Sequence, residues 1–104
     1  MEHALIVHLP LGGDRFGSSS EREGLFAMQD EMACAIRHAG VGEFDGDEFG
    51  EGECVLFMYG PNADRLFDIV QPYLKSSTLA AGGYAIKRYG EACDPGSREI
   101  RVTW

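Results

Sequence analysis

Glu53-Cys54-Val55-Leu56-Phe57-Met58-Tyr59 is apolar at nearly every position, and Gly60-Pro61 ends it. A strand that is apolar on both faces belongs inside a sheet rather than at its rim. Immediately upstream, Val41 to about Asp47 is polar and carries glycine, which suits an edge strand. Gly50 and Gly52 permit a turn between the two, and a bulge. Val41 to Tyr59 therefore reads as a hairpin with one buried arm and one exposed arm. A second central strand is predicted at Ala4-Leu5-Ile6-Val7-His8-Leu9, stopped by Pro10 and Gly12-Gly13.

Two helices fit between and after these strands. Ser20-Glu21-Arg22-Glu23 matches a capping box, in which the serine accepts from the Glu23 amide and Glu23 reaches back. Leu25, Met28, Met32, Ile36 and Ala39 follow at steps of three and four, and Gly40 suits the left-handed stop. The spacing predicts a helix from about 20 to 39. Asn62 is an N-cap for a second helix, whose apolar face is Leu66, Phe67, Ile69, Val70, Tyr73 and Leu74. Pro72 removes a donor and should weaken its last turn. Tyr84 to Tyr89 reads as a strand, Asp94-Pro95-Gly96 as a turn, and Arg98 to Trp104 as a last alternating strand.

The order β-α-β-β-α-β plus one C-terminal strand resembles the ferredoxin-like split βαβ sandwich over nearly the whole chain. The resemblance implies an α+β domain, residues 1–104, with an antiparallel sheet and both helices on one face. It also implies that the first and third strands are central, and that a homodimer can form through the open sheet face. Asp45-Gly46-Asp47-Glu48-Phe49-Gly50-Glu51-Gly52-Glu53 and Met58-Tyr59-Gly60-Pro61-Asn62-Ala63-Asp64 resemble small bacterial proteins whose likeness implies no activity.

At 104 residues the chain fits one small domain. Its net charge is -8 and its pI about 4.7. Binding to phosphate backbones or anionic lipid is disfavoured, since both need a cationic surface, so neither a nucleic acid nor a membrane is an expected partner. Cys34, Cys54 and Cys93 form no CxxC pair and are odd in number, which suits a reducing cytoplasm. Neither a signal core nor a lipidation motif is expected.

The charge is unevenly spread. Residues 1–42 carry -3, residues 43–53 carry -6, and residues 54–104 carry +1. Glu43, Asp45, Asp47, Glu48, Glu51 and Glu53 supply the middle figure with no basic residue among them. Such a hairpin can steer a basic partner into contact, or it can simply keep an edge strand from pairing with other sheets. Lys87, Arg88, Arg98 and Arg101 place positive charge on the predicted opposite edge, a polarity that could pair subunits.

Other chemistry fits poorly. Asp45, Asp47 and Gly50 match positions 1, 3 and 6 of an EF-hand, but Phe49 and Leu56 fall where oxygen ligands are needed. Gly12 and Gly17 have P-loop spacing, yet Ser18 stands where lysine should be. The first strand lacks the aromatic residue of RNA-recognition strands. Cys34 and His38 are neighbours on one helix face with Asp30 and Glu31, a partial metal or thiol site without a further ligand pair. No catalytic residue, metal or cofactor is assigned.

The leading expectation is a non-catalytic interaction protein whose acidic hairpin docks a basic protein, as toxin-neutralising immunity proteins do. The first alternative is a small-molecule-binding or enzymatic dimer, with a pocket on the open sheet face using His8, Phe57, Tyr59 and Tyr84. The second is a module that acts through self-association alone.

Overall fold

A computed structural model describes residues 2–104. The elements run β1 (His3–Pro10), α1 (Ser19–Ala39), β2 (Glu43–Gly50), β3 (Glu53–Gly60), α2 (Ala63–Ser76), a short 3-10 turn (Thr78–Ala80), β4 (Tyr84–Arg88) and β5 (Glu99–Val102). The five strands form one antiparallel sheet in the order β2-β3-β1-β4-β5. The fold is thus α+β, with β1 and β3 inside the sheet and β2 and β5 at its edges.

Alternation along the strands decides where the core lies. Leu5, Val7 and Leu9 of β1, Cys54, Leu56 and Met58 of β3, and Ala85 of β4 are fully buried on one face. They meet Leu25, Met28, Met32 and Ile36 of α1, and Leu66, Phe67, Val70 and Leu74 of α2. The helices also pack against each other, so both cover this same face. The other face carries Ala4, Ile6 and His8, then Val55, Phe57 and Tyr59, then Tyr84 and Ile86. Apart from buried Ala4, these are only half-buried.

Helix α1 starts one residue before its expected position, and a different capping box starts it. Ser18 caps the Glu21 amide at 3.2 Å, and Glu21 reaches back to the Ser18 amide at 3.0 Å. Ser20 and Glu23 have the same spacing but are not used. The reason is tertiary: the Glu21 carboxylate also accepts from the amides of Gly12 and Gly13, at 2.6 and 2.7 Å. Those three amides hold its pKa below the ordinary 4.5. Gly40 stops the helix in the left-handed region, as expected.

Helix α2 begins at the Asn62 cap and runs through Pro72 to Ser76. A polar network ties its first turn to β1 and β4. His3 Nδ1 accepts from the Ala63 amide at 3.1 Å. Asp64 accepts from the Tyr89 hydroxyl at 2.6 Å and from Lys87 Nζ at 3.0 Å. The Tyr89 hydrogen bond, then that of Lys87, lowers the Asp64 pKa below 3.8.

The β2–β3 hairpin turns through Glu51 and Gly52, both at positive φ, between paired Gly50 and Glu53. That is the two-residue turn whose twist suits a hairpin, with glutamate at a position that asparagine usually takes. Its first arm is Glu43–Gly50, later in sequence than the expected 41–47. The chain enters it past a close crossing: Gly42 and Gly60 pass so tightly that a Cβ on Gly60 would strike the Val41 carbonyl oxygen.

Gly60→Ala should lose about 1–3 kcal/mol in urea unfolding, because the obstacle is backbone and cannot rotate away. Gly46→Ala, with open space around its Cβ, should stay within about 0.5 kcal/mol of wild type. Equal midpoints for the two variants would contradict the crossing. Glu21 and Asp64, with folded-state pKa values below 4.5 and 3.8, contribute stability in full above those values. That contribution is lost as pH falls through the lowered values. Glu21→Gln combined with Asp64→Asn should therefore unfold more easily at neutral pH and lose less on acidification. Urea midpoints measured from neutral pH down past those values check this.

Candidate interaction surface

The acidic hairpin does not present its carboxylates as one cluster. Glu43 pairs with Tyr59, and Phe44 pairs with Met58, but the register then skips to Gly46 opposite Phe57. Asp45 is the extra residue of a bulge. Beyond it, Asp47 lies opposite Leu56 and Phe49 opposite Cys54, on the helix-covered side. Glu48 and Glu53 lie on the open side with Glu43. Glu51 stands at the turn. Glu53 meets His8 Nδ1 at 3.2 Å. Among the described residues none of the other five carboxylates has a cationic partner within 4 Å; the remaining ion pair is Lys87 with Asp64.

Beside the helix-side half lies a patch that the sequence reading passes over. Phe16 and Phe26 are each 47% exposed, the most exposed large apolar residues among those described. Phe26 meets Phe49 edge-on, with ring centroids 5.6 Å apart. The Phe16 ring lies 3.9 Å from where a Cβ on Gly50 would stand. The loop that carries it is tied to the hairpin turn, since the Gly52 amide donates to the Arg15 carbonyl at 2.9 Å and the Leu11 amide to the Gly52 carbonyl at 2.8 Å. Glu23 and Asp30 are exposed one turn to either side of Phe26. Two cations border this patch: the Arg15 guanidinium sits 5.0 Å over the Phe16 ring, and Arg22 donates to the Phe16 and Gly17 carbonyls at 3.4 and 2.6 Å. The signal in the sequence was Phe26 itself, an aromatic residue off the apolar stripe of α1.

The open face holds the four residues of the expected pocket. His8 stacks on Tyr84, centroids 4.6 Å apart and rings 8° from parallel. Arg101 covers the Tyr84 ring at 3.7 Å. His8 Nδ1 lies 3.2 Å from the Glu53 carboxylate. Phe57 and Tyr59 lie on β3 in adjoining rows. Three surface depressions are lined by other residues.

The largest of those depressions, about 680 Å³, lies between the helices and is lined by Asp30, Glu31, Cys34, Ala35, His38 and Tyr73. It brings together the partial site read from α1. No group of three or more His, Cys, Asp or Glu residues among those described is arranged to hold a metal ion. The glycine loop before α1 is an anion cradle in form, but its amides are taken by Glu21. Among the described residues no helix is long and apolar enough to cross a membrane.

No protein-family model, curated protein or solved structure matches the chain.

The three cysteines differ in surroundings. Cys34 and Cys93 are exposed, and Cys54 is buried. Burial, then the nearby charges of Asp47 and Glu53, pushes the Cys54 thiol up to about 12. A disulfide reagent at neutral pH should titrate Cys34 and Cys93 promptly, and Cys54 only on unfolding. Prompt reaction of all three would contradict the burial of β3.

Proposed function

We propose that this chain is a non-catalytic interaction module that docks a basic protein surface through the acidic hairpin. The observation that carries this is the coincidence of exposed phenylalanines with unpaired carboxylates at one end of the molecule. Aromatic side chains set in a dry centre supply most interface energy. A charged surround speeds encounter and selects partners of opposite sign. Phe16, Phe26 and Phe49 fit the first part, and Asp45, Asp47 and Glu51 fit the second, with Glu23 and Asp30 alongside. The partner would offer arginine or lysine around an apolar hollow. An immunity protein that covers the cationic site of a nuclease is one such arrangement.

The connectivity supports a ferredoxin-like reading of the domain. Between β1 and β2 the chain passes over β3, and between β3 and β4 it passes over β1, with β5 added beyond β4. Three free thiols support a reducing, cytoplasmic setting. The small-molecule reading has less support, because His8, Tyr84 and Arg101 are engaged with one another in a stack.

The test is affinity capture from the native host at low and high salt, followed by calorimetry with the captured basic protein. Phe26→Ala should weaken binding by about tenfold or more. Asp45→Asn, Asp47→Asn and Glu51→Gln together should flatten its salt dependence. Affinity and salt dependence unchanged in both variants would overturn the reading.

A further inference from the structure

The outer edge of β2 presents unpaired backbone between acidic side chains. Glu51 and Gly52 form a two-residue turn, which makes Gly50 and Glu53 a hydrogen-bonded pair. Such pairs alternate along an antiparallel ladder, so Glu48 with Val55 is the next, and Phe49 and Asp47 belong to the pairs between. The N–H and C=O groups of Phe49 and Asp47 therefore point away from β3. Strand β2 ends the sheet, and among the described residues no backbone hydrogen bond from another segment reaches it. The bulge at Asp45 lies before this stretch, and pairing over 46–50 is regular. On the helix side the open groups are flanked by Asp47 and by Phe49 with its neighbour Phe26. On the other side they are flanked by Glu48. Asp47 and Glu48 are exposed.

We propose that this edge receives an extended, basic segment of the partner, added antiparallel to β2 as a further strand of the sheet. The inference rests on the interaction-module reading above and names the element that docks. An added strand draws affinity from main-chain hydrogen bonds and selectivity from its alternate side chains. Antiparallel addition puts the residues opposite Phe49 and Asp47 on the helix side, and the residue between them beside Glu48 on the open side. Opposite charges facing each other across a strand pair stabilise it, and like charges destabilise it. Lysine or arginine thus suits the places beside Glu48 and Asp47. An apolar residue suits the place beside Phe49, where the exposed Phe26 ring adjoins. The same rule turns away a second copy's β2, which would set carboxylate against carboxylate. An acidic edge that blocks general sheet pairing still admits a strand of this composition.

Amide exchange and shift titration by NMR on the full chain test the proposal, with the blocked peptide Thr-Lys-Ile-Lys-Lys-Thr as probe. In the free protein the Asp47 and Phe49 amides should exchange faster than those of Glu48 and Gly50. Saturating peptide should slow exchange at Asp47 and Phe49 by about tenfold or more and leave Glu48 within about twofold. N-methyl groups on the third and fifth peptide residues, whose amides face β2, should raise Kd by about tenfold or more. The same groups on the second and fourth residues, whose amides face solvent, should change it by less than about threefold. Asp47→Pro removes an outward donor and should weaken binding more than Asp47→Asn, which removes the charge alone. The methylated peptides decide by themselves if Asp47→Pro does not fold. A peptide that does not bind, or equal effects of the two methylated sets, overturns strand addition. Docking of a captured basic protein through Phe26 and the carboxylates is read separately, so it can survive that result. Protection of Asp47 and Phe49 that grows with protein concentration in the absence of peptide gives the edge to a second copy, and also overturns the proposal.

Discussion

Two helices can cover one face of a five-stranded sheet and no more. That constraint organises everything else in this molecule. The strands β1 and β3 are apolar on both faces, and α1 and α2 bury Leu5, Val7, Leu9, Cys54, Leu56 and Met58 from one side. The residues between them, Ile6, Val55, Phe57 and Tyr59, keep part of their surface in water. A sheet whose uncovered face only met solvent would alternate apolar and polar residues along its strands. Here the alternation fails on the two inner strands. The uncovered face is thus unlike an ordinary solvated one, and its middle has the composition of a second, unpaired layer.

Much of this architecture follows from local pattern. The continuous apolar run at 53–59, the helical stripes on Leu25–Ile36 and Leu66–Leu74, and the glycine and proline stops predict the elements in order. What the pattern does not settle is choice between equivalent local options. Ser18-x-x-Glu21 and Ser20-x-x-Glu23 are both capping boxes by spacing. Only Glu21 also reaches Gly12 and Gly13, so a loop nine residues upstream selects the helix start. The same limit hid the phenylalanine patch. Phe26 lies off the apolar stripe, and it becomes part of a surface only because β2 brings Phe49 to it. Of the expected pocket residues, His8 and Tyr84 meet in a parallel stack.

The bulge at Asp45 decides what the acidic hairpin can do. Phe44 and Phe49 are five residues apart, so a regular strand would send them to opposite faces. One extra residue restores both to the helix side, where each packs against the core. The same shift has consequences for the carboxylates. Glu43 and Glu48, also five apart, come to share the open face, while Asp47 joins Phe49 on the other. A six-carboxylate run that reads as one patch in sequence is therefore two surfaces in space. One borders the exposed phenylalanines and the other borders the uncovered sheet. A single edge strand could not mark both sides of the molecule with charge while keeping both its aromatic residues in the core unless its alternation were broken once. The break falls at Asp45-Gly46, where an exposed carboxylate and a glycine with open space around it leave the bulge unobstructed.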